Sequence, residues 1–312
     1  MRQTVFPKAE SITHQHILSC INTLLINDEN LSSGDCITIL DAGCGNGKLI
    51  RYLQVSLPML HPDKVFVIHG FDVVDHGVQK LGFIQQTVKM LSSSHIDTGI
   101  DWQKRIHAFS KDENWNFGSE KFSFIVSNQV LEHVANKDKF FHNVHENLEN
   151  GGYSIHLAPL RHILWEGHIE LFGAHKFKSF SALYGYIKLM SRLGFGKFRQ
   201  QRNFNVPIDT DRDVYSQRHA DYIFFLTSYS SEAETLDICR KNNLRADFRF
   251  SLEFFTSKAR QTIGLHPNFV YAFREAGFFD SISIKFLRYL SSVTLVCKKY
   301  NTYYSNYKSD LP

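Results

Sequence analysis

The chain has 312 residues, a formal net charge of +4, 43% hydrophobic residues and 21% charged residues. Such a chain can bury a substantial hydrophobic core, so the composition excludes a disordered or fibrous protein and predicts a folded globular one. The charge is too small to indicate nucleic-acid binding by itself. No apolar run is long enough to span a bilayer, and the first residues, MRQTVFPKAESITHQH, lack the apolar core of a signal peptide. We therefore expect a cytoplasmic protein.

The cysteines are scattered along the chain and form no CxxC pair. There are five of them: Cys20, Cys36, Cys44, Cys239 and Cys297. This spacing indicates buried thiols rather than a disulfide framework or a zinc site. We accordingly predict no metal cofactor.

Strands and helices alternate through the first half of the chain. An amphipathic helix over residues 9–26 precedes a short buried-type strand, Cys36 to Leu40, which ends at Asp41. After the glycine turn the pattern predicts, in order, a helix from Gly47 to about Leu57, a strand from Val65 to Phe71, a helix from about Val74 to Leu91, strands around Arg105 to Phe109 and over Phe122 to Ser127, a helix near Asp138 to Leu148, and a strand from Tyr153 to Leu157. Such alternation predicts a mostly parallel sheet that is covered on both faces.

After Pro159 the pattern changes, because residues 160–230 are rich in aromatic, histidine and basic residues. A helix is predicted from Phe180 to Phe195, and the α/β pattern then resumes with a helix from Ser231 to Leu244 and strands over Ala246 to Phe250 and Leu290 to Cys297. We expect five segments: an N-terminal helix and linker (1–34), a cofactor-binding core (35–160), a helical substrate-binding insertion (161–230), the completion of the core sheet (231–300) and a C-terminal tail (301–312).

The stretch ILDAGCGNGKLI (39–50) places a glycine turn between the first strand and its helix. A phosphate loop needs GxxxxGK followed by Ser or Thr, but the spacing from Gly43 to Gly47 is one residue short, and Leu49 stands where the hydroxyl is required. The dinucleotide fingerprint GxGxxG fails too, because the third glycine comes early. What remains is a carboxylate before the turn, Asp41, and a second carboxylate, Asp72, after the next strand. A carboxylate at that place can accept both hydroxyls of a ribose.

With this turn, four ordered segments of the chain resemble the class I S-adenosylmethionine-dependent methyltransferases. They are ILDAGCGNG (39–47), VIHGFDVVD (67–75), FSFIVSNQVLEHV (122–134) and LENGGYSIHLAP (148–159). The resemblance covers residues 35–160, with a weaker echo at 231–298. It implies a Rossmann-like, doubly wound sheet of seven mostly parallel strands with a helical insertion after the fifth strand. It also implies S-adenosyl-L-methionine as the methyl donor.

The resemblance assigns the methionine end of the cofactor to residues at the ends of the first and fourth strands. Gly43 and Gly45 would line the methionine part, and Asp41 would lie just beneath and order the turn. Asn128, where the fourth strand ends, stands where the family places a contact to the methionine moiety.

The other end of the cofactor is assigned to the second strand and to the loop before the fourth strand. Asp72 would hold the ribose, and Val73 would lie against the adenine. The family often has an acidic residue in the segment SKDENWNF (110–117) for the adenine amino group. Asp112 can supply this acidic side chain only if Asp112, rather than Lys111, occupies the position next to the adenine amino group.

Methyl transfer to a hydroxyl needs a positioned nucleophile and a group that removes its proton. A histidine suits the second task, because its pKa lies near neutrality. The candidates beyond the strand ends are His133, His156, His162, His168 and His175. We predict His133 and His168 as the catalytic candidates, either of which could be the base, with Glu132 able to orient one of them, although a structural role is an alternative for each. Some quinone-type relatives have a carboxylate three residues before the EH pair, where this chain has Gln129, which disfavours a metal.

The insertion should form the acceptor pocket, because it follows the fifth strand. Its basic residues outnumber its acidic ones about two to one between 160 and 220, and aromatic residues lie among them. This composition suits an anionic, sugar-bearing or lipid-linked acceptor, although a solvated basic face over an aromatic core would look the same. The DNA-amine motif, Asn or Asp followed by Pro-Pro-aromatic, is absent, so DNA is not expected, whereas RNA is not excluded.

From these features we expect a methyltransferase that acts on an oxygen of a small-molecule, glycan or lipid-linked acceptor. The alternatives are an RNA or protein methyltransferase, an enzyme of the same fold that uses the cofactor for non-methyl chemistry, and a non-catalytic protein that retains the cofactor pocket.

Overall fold

The computed structural model describes residues 7–75, 82–93, 99–198, 211–273 and 277–300. Its centre is a seven-stranded sheet in the order β3-β2-β1-β4-β5-β9-β8. The strands are β1 (Cys36–Ala42), β2 (Val65–Val73), β3 (Ile106–Phe109), β4 (Phe122–Asn128), β5 (Leu148–Ala158), β8 (Leu244–Asp247) and β9 (Val293–Lys299). Neighbours among β1 to β5 pair in parallel, and β9 runs antiparallel to both β5 and β8. The predicted sheet, with seven mostly parallel strands, is therefore confirmed.

Helices flank this sheet on both sides. They are α1 (Ile12–Asn27), α2 (Glu29–Ser32), α3 (Lys48–Leu60), α4 (Phe83–Ser93), α5 (Trp102–Arg105), α6 (Lys137–Asn147), α7 (Phe180–Arg192), α8 (Arg212–Leu226), α9 (Glu232–Lys241), α10 (Ser251–Thr262) and α11 (Phe278–Leu290). The sequence pattern missed α8, α10 and α11. The predicted helix from Val74 to Leu91 lies partly outside the described residues, as does the whole of the predicted tail 301–312.

The strands divide their buried side chains between two hydrophobic clusters, one on each face of the sheet. Ile39 belongs to the cluster that includes residues of α1 and α3, whereas the next residue, Leu40, belongs to the cluster that includes residues of α6 and α9. This is the two-residue alternation of a strand that is covered on both faces. The arrangement leaves the carboxyl ends of the strands as the place where loops and a ligand can meet.

Residues after β5 form a third hydrophobic cluster. It contains Ile169, Leu171, Ala174, Leu183, Ile187, Phe198, Tyr215, Ala220 and Ile223, so α7, α8 and the short hairpin β6 (Trp165–Glu166) and β7 (Leu171–Phe172) share one small core. Hydrogen bonds attach this unit to the sheet: the Ser228 N–H donates to Glu132 O at 2.6 Å, and the Arg161 N–H donates to Ser230 O at 2.8 Å. The carboxyl end of α8 is thereby held against the loop after β4.

Within the described part of the chain, the helices fall short of what a bilayer requires. None of them is both long enough and apolar enough to cross a membrane.

Candidate cofactor and acceptor site

A cavity of about 530 Å³ opens beyond the carboxyl ends of β1, β2 and β4. Its volume lies in the range of small-molecule and cofactor sites. Its lining includes all but one of the residues predicted for the cofactor and for catalysis: Gly43, Gly45, Asp72, Val73, Asp112, Asn128, His133 and His168. Asp41 is the exception, because it is buried and does not line the cavity.

Gly43 and Gly45 shape the turn at the end of β1, and both have positive φ, +78° and +53°. The Gly43 N–H donates to Phe71 O at 2.9 Å, which fixes the turn to β2. A Cβ on Gly43 would lie 2.6 Å from Val130 Cγ2, so neighbouring packing requires the glycine. A Cβ on Gly45 would meet nothing within 4 Å, so that position faces open space in the cavity.

The two carboxylates at the strand ends differ in their surroundings. Asp72 lines the cavity and accepts hydrogen bonds from the Gly45 N–H at 2.9 Å and from the Val73 N–H at 2.7 Å. Burial raises the pKa of Asp41 to about 8, and the charge of Asp72 contributes to the rise. Burial therefore favours the protonated form of Asp41.

Asn128 lies at the end of β4, and only the nitrogen of its side-chain amide is hydrogen-bonded. Its Nδ2 donates to Thr13 Oγ1 at 3.0 Å, whereas its buried Oδ1 meets no hydrogen-bond partner among the described residues. A buried amide oxygen without a donor is costly. Because this residue lines the cavity, a ligand with an N–H group suits it.

Aromatic side chains close the part of the cavity near Val73. The Trp115 ring lies 4.5 Å from the Phe71 ring and 5.1 Å from the Phe140 ring, measured between centroids. Both Lys111 and Asp112 line the cavity, so the structure brings both of the residues that the sequence left as alternatives to this loop. Trp115 was not predicted as a site residue. The sequence shows it as an aromatic residue in the loop before the fourth strand, and that position could have indicated its place in the site.

His133 and His168 meet at the opposite part of the cavity, together with Tyr222. The two imidazole centroids are 5.1 Å apart, and Tyr222 lies 5.6 Å from His133 and 5.0 Å from His168. His133 Nδ1 donates to Leu226 O at 2.8 Å, and its Nε2 lies 3.4 Å from the Tyr222 hydroxyl oxygen. The insertion therefore supplies two of the three rings at this corner.

Glu166 orients His168. Its carboxylate oxygen Oε1 accepts from His168 Nδ1 at 2.6 Å, and Oε2 accepts from the Tyr229 hydroxyl at 2.7 Å. Burial opposes ionisation of Glu166, but the hydrogen bonds and the charge of His168 together outweigh it and lower the pKa of this carboxyl. The sequence suggested Glu132 for the orienting role, and neither Glu166 nor Tyr222 was foreseen.

Glu132 is 1% exposed, and neither of its carboxylate oxygens meets a hydrogen-bond partner among the described residues. Burial raises the pKa of Glu132 to about 8, and the charge of Glu166 contributes to the rise. A carboxyl group in this state is the kind of group that marks a functional site.

The remaining candidate histidines lie elsewhere. His156 is fully buried in β5, where its Nδ1 lies 2.8 Å from Ser127 Oγ, and burial lowers its pKa to about 3. His162 and His175 line a separate cavity of about 500 Å³, together with Arg161, Lys176 and Lys178. None of these three histidines lines the cavity that holds the predicted cofactor residues.

The fold and this cavity define a Rossmann-like S-adenosylmethionine-dependent methyltransferase of class I. A family model described as a methyltransferase domain matches residues 16–207, and the chain belongs to that family. Comparison with curated proteins finds no match.

Several solved structures are similar to this chain. PKMT2 from Rickettsia typhi, in complex with AdoHcy, is 13% identical with a TM-score of 0.50, over 95% of this chain and 55% of that one. An S-adenosylmethionine-dependent methyltransferase from Mesorhizobium loti is 14% identical with a TM-score of 0.44, over 84% of this chain and 91% of that one. Magnesium protoporphyrin IX methyltransferase (ChlM) from Synechocystis PCC 6803, with bound SAH, is 12% identical with a TM-score of 0.42, over 92% and 84%. At these identities the likeness concerns the fold alone.

Proposed function

We propose that the protein transfers the methyl group of S-adenosylmethionine to an oxygen of a small-molecule, glycan or lipid-linked acceptor bound against the insertion, residues 161–230. One observation carries the proposal. A single cavity joins the glycine turn and Asp72 at one end to His133, His168 and Tyr222 at the other. Donor and acceptor can therefore meet in one cavity, which methyl transfer requires.

The cofactor end of the cavity fits the donor. When bound, S-adenosylmethionine supplies a methyl group that its sulfonium charge has already activated. The Asp72 carboxylate offers acceptors for the ribose hydroxyls, and the unpartnered Asn128 Oδ1 offers one for the ammonium. Gly45 leaves room for close approach, and Asp112 is proposed for the adenine amino group.

An open groove of about 840 Å³ offers the acceptor a path to the histidines. It shares His168, Tyr222 and Leu226 with the cofactor cavity and continues past Tyr184 and Val214. An acceptor can therefore extend out of the cavity along α8, which favours a molecule with a long glycan or lipid portion.

The charges of this groove refine the expected acceptor. Asp213, Asp221 and Arg218 line it, so it is mixed rather than basic. Arg161, Lys176 and Lys178 line the other cavity of the insertion, and Arg199 and Arg202 lie outside the described residues. We therefore propose that the part of the acceptor in this groove is uncharged or only weakly charged.

His133 and His168 are the residues that we propose to activate the acceptor. The acceptor oxygen attacks the methyl carbon while the carbon–sulfur bond breaks, and the electron pair of that bond stays on sulfur. The products are the methylated acceptor and S-adenosylhomocysteine. The acceptor hydroxyl loses its proton beside His133 and His168. Tyr222 and Phe225 line this end of the cavity.

Isothermal titration with S-adenosylmethionine tests the cofactor site. We expect the wild type to bind and Asp72→Ala to bind at least about 100-fold more weakly, because hydrogen bonds to a charged group are worth about 1.5–3 kcal/mol each. Asp101→Ala, which removes an exposed carboxylate paired with Lys104, should bind like the wild type. No binding by the wild type, or equal binding by all three proteins, would reject the assignment.

Formation of S-adenosylhomocysteine in the presence of acceptor panels tests the acceptor class. We expect turnover with hydroxyl-bearing small molecules, glycans or lipid-linked sugars. His168→Ala should lower kcat without changing the affinity for S-adenosylmethionine. Methylation of RNA or of protein alone would replace the proposed acceptor class and leave the donor assignment standing.

A further inference from the structure

Three potential metal ligands converge where the insertion meets the loop after β4. Glu132 offers a carboxylate oxygen, and His133 and His168 each offer a ring nitrogen. These ligand atoms all lie within 4.8 Å of one another. The three residues come from two distant parts of the sequence, and the hydrogen bond between Ser228 and the Glu132 carbonyl is one of the contacts that bring those parts together.

Glu132 is the residue whose state most requires an explanation. It is 1% exposed, and neither oxygen is hydrogen-bonded within the described part of the chain. Lys137 lies close by, but its ammonium donates to Val134 O at 2.8 Å and to Ser228 instead. A buried carboxylate without a partner is costly, whereas a bound cation would satisfy both its charge and its lone pairs.

The two histidines are oriented as metal-binding histidines are. His133 Nδ1 donates to the Leu226 carbonyl oxygen at 2.8 Å, and His168 Nδ1 donates to the Glu166 carboxylate at 2.6 Å. Each ring therefore has an outer acceptor on Nδ1, which sets the tautomer and leaves Nε2 as the nitrogen for an ion, although in His133 this atom also lies 3.4 Å from the Tyr222 hydroxyl oxygen. Histidines that bind metal ions almost always donate their other N–H to a carboxylate or a carbonyl in this way.

We propose that Glu132, His133 and His168 bind a divalent metal ion of the zinc class. Two histidines and one glutamate form the ligand set of catalytic zinc sites, which keep one position open. Here the open position faces the cavity, because both histidines line it and Glu132 lies behind them. Ligands at about 2.0–2.2 Å from one ion lie roughly 3.3–3.6 Å apart, so the cluster would close by about 1 Å on binding.

This inference rests on the proposed function in one respect, since it gives the open position to the acceptor oxygen. An ion held by Glu132, His133 and His168 would make an acceptor hydroxyl more acidic, so that its proton could pass to water as the oxygen attacks the methyl carbon. His133 and His168 then activate the acceptor as metal ligands rather than as bases. The sequence predicted no metal, because it showed neither the approach of His168 nor the outer acceptor Glu166.

Direct metal binding to the full chain tests the site without any turnover. Protein freed of metal with a chelator is titrated with Zn²⁺ against a competing indicator, and with Co²⁺ while visible absorption is recorded. We expect one tight site per chain and a Co²⁺ spectrum of low coordination number. His142→Ala, which removes an exposed histidine of α6, should leave both results unchanged.

Three variants make the result decisive. Glu132→Gln keeps the shape of the side chain and removes its charge, so the protein should fold and melt no lower than the wild type, yet lose Zn²⁺ affinity. Glu166→Gln changes only the group that accepts the hydrogen bond from His168 Nδ1, and it should weaken Zn²⁺ binding about 10- to 100-fold. His168→Ala should weaken it more than Glu166→Gln does.

The proposal is overturned if wild-type protein takes up no Zn²⁺ or Co²⁺, or if Glu132→Gln and His168→Ala bind them as His142→Ala does. Binding of S-adenosylmethionine is measured on the same samples. A protein that binds the donor but no metal would reject the metal site alone. A protein that binds metal but no donor would reject the proposed function and keep the metal site.

Discussion

Gly43 and Gly45 occupy similar backbone conformations, but a side chain would be excluded from each for a different reason. At Gly43 the obstacle is the stiff, β-branched side chain of Val130, whose Cγ2 lies 2.6 Å from the position that an alanine methyl group would take. At Gly45 there is no protein atom in the way, and the space belongs to the cavity. Stability and ligand binding should therefore respond separately at these two positions.

Alanine substitutions at the two glycines test this difference. Gly45→Ala should cost about 1–2 kcal/mol of unfolding free energy, the usual penalty for left-handed backbone, and should sharply weaken S-adenosylmethionine binding. Gly43→Ala should lower the unfolding free energy by a further ~1–3 kcal/mol, because the Val130 side chain must move. Urea unfolding and isothermal titration give the two quantities. Equal unfolding free energies for the two variants would contradict the packing explanation.

At the level of single residues, the sequence was informative where the chemistry is local. Asp72 and Gly43 could be placed because each stands at a fixed offset from a strand end. Glu166, by contrast, is recognised only through its contact with His168 and with Tyr229. Glu166 belongs to a strand of only two residues, which gives no periodic signal. Tyr222 was missed for the same reason, since only the fold of the insertion brings it to His133.

Among the elements, α8 shows why the insertion was hard to predict. Its buried residues are Tyr215, Ser216, Ala220 and Ile223, two of which are small, whereas Val214 and Phe225 are more than half exposed. Apolar residues therefore surround the helix instead of forming a stripe, and the periodicity that revealed α3 is absent. The strands of the sheet and helices such as α3 and α6 were predicted because burial on defined faces repeats along them, whereas α10 and α11 were missed.

The start of α9 offers a test at this level. Ser231 Oγ accepts from the Glu234 N–H, and the Glu234 carboxylate accepts from the Ser231 N–H at 2.8 Å, which forms a capping box. Ser231→Ala should lower the unfolding free energy by about 1 kcal/mol, because a helix N–H loses its partner. Ser231→Thr should restore most of the loss in urea unfolding. If both variants were as stable as the wild type, the cap would contribute nothing.

For the molecule as a whole, α1, α10 and β9 are joined through a buried histidine. His16 Nδ1 lies 2.7 Å from the Tyr271 hydroxyl oxygen, its Nε2 lies 2.7 Å from Thr294 Oγ1, and its ring packs on Phe254. Burial lowers the pKa of His16 to about 3. The folded protein therefore keeps this ring neutral under conditions in which the unfolded chain would protonate it.

The sign of the effect on stability follows from that difference. The full contribution of His16 is present above its unfolded pKa of about 6.5, and it is lost as the pH falls from there toward 3, at about 1.4 kcal/mol per pH unit. His16→Gln, which can still reach Thr294, should reduce the slope of unfolding free energy against pH by about 1.4 kcal/mol per pH unit between roughly pH 5 and pH 6.5. Urea unfolding across this range measures the slope. His142→Gln should leave the slope unchanged, and a His16→Gln slope equal to that of the wild type would refute the assignment.

Strand β9 lies between β5 and β8, and it pairs with both. Until it is in place, β5 has an open edge of unpaired N–H and C=O groups, and β8 has no partner in the sheet. During synthesis the ribosome delivers β9 only after the cofactor turn, the histidine corner and the whole insertion have emerged. A nascent or truncated chain that ends before Val293 would expose the unpaired edge of β5 beside a complete donor pocket. Such an edge is a template for pairing with another chain, so an incomplete copy would be prone to aggregate although every residue of its reaction centre is present.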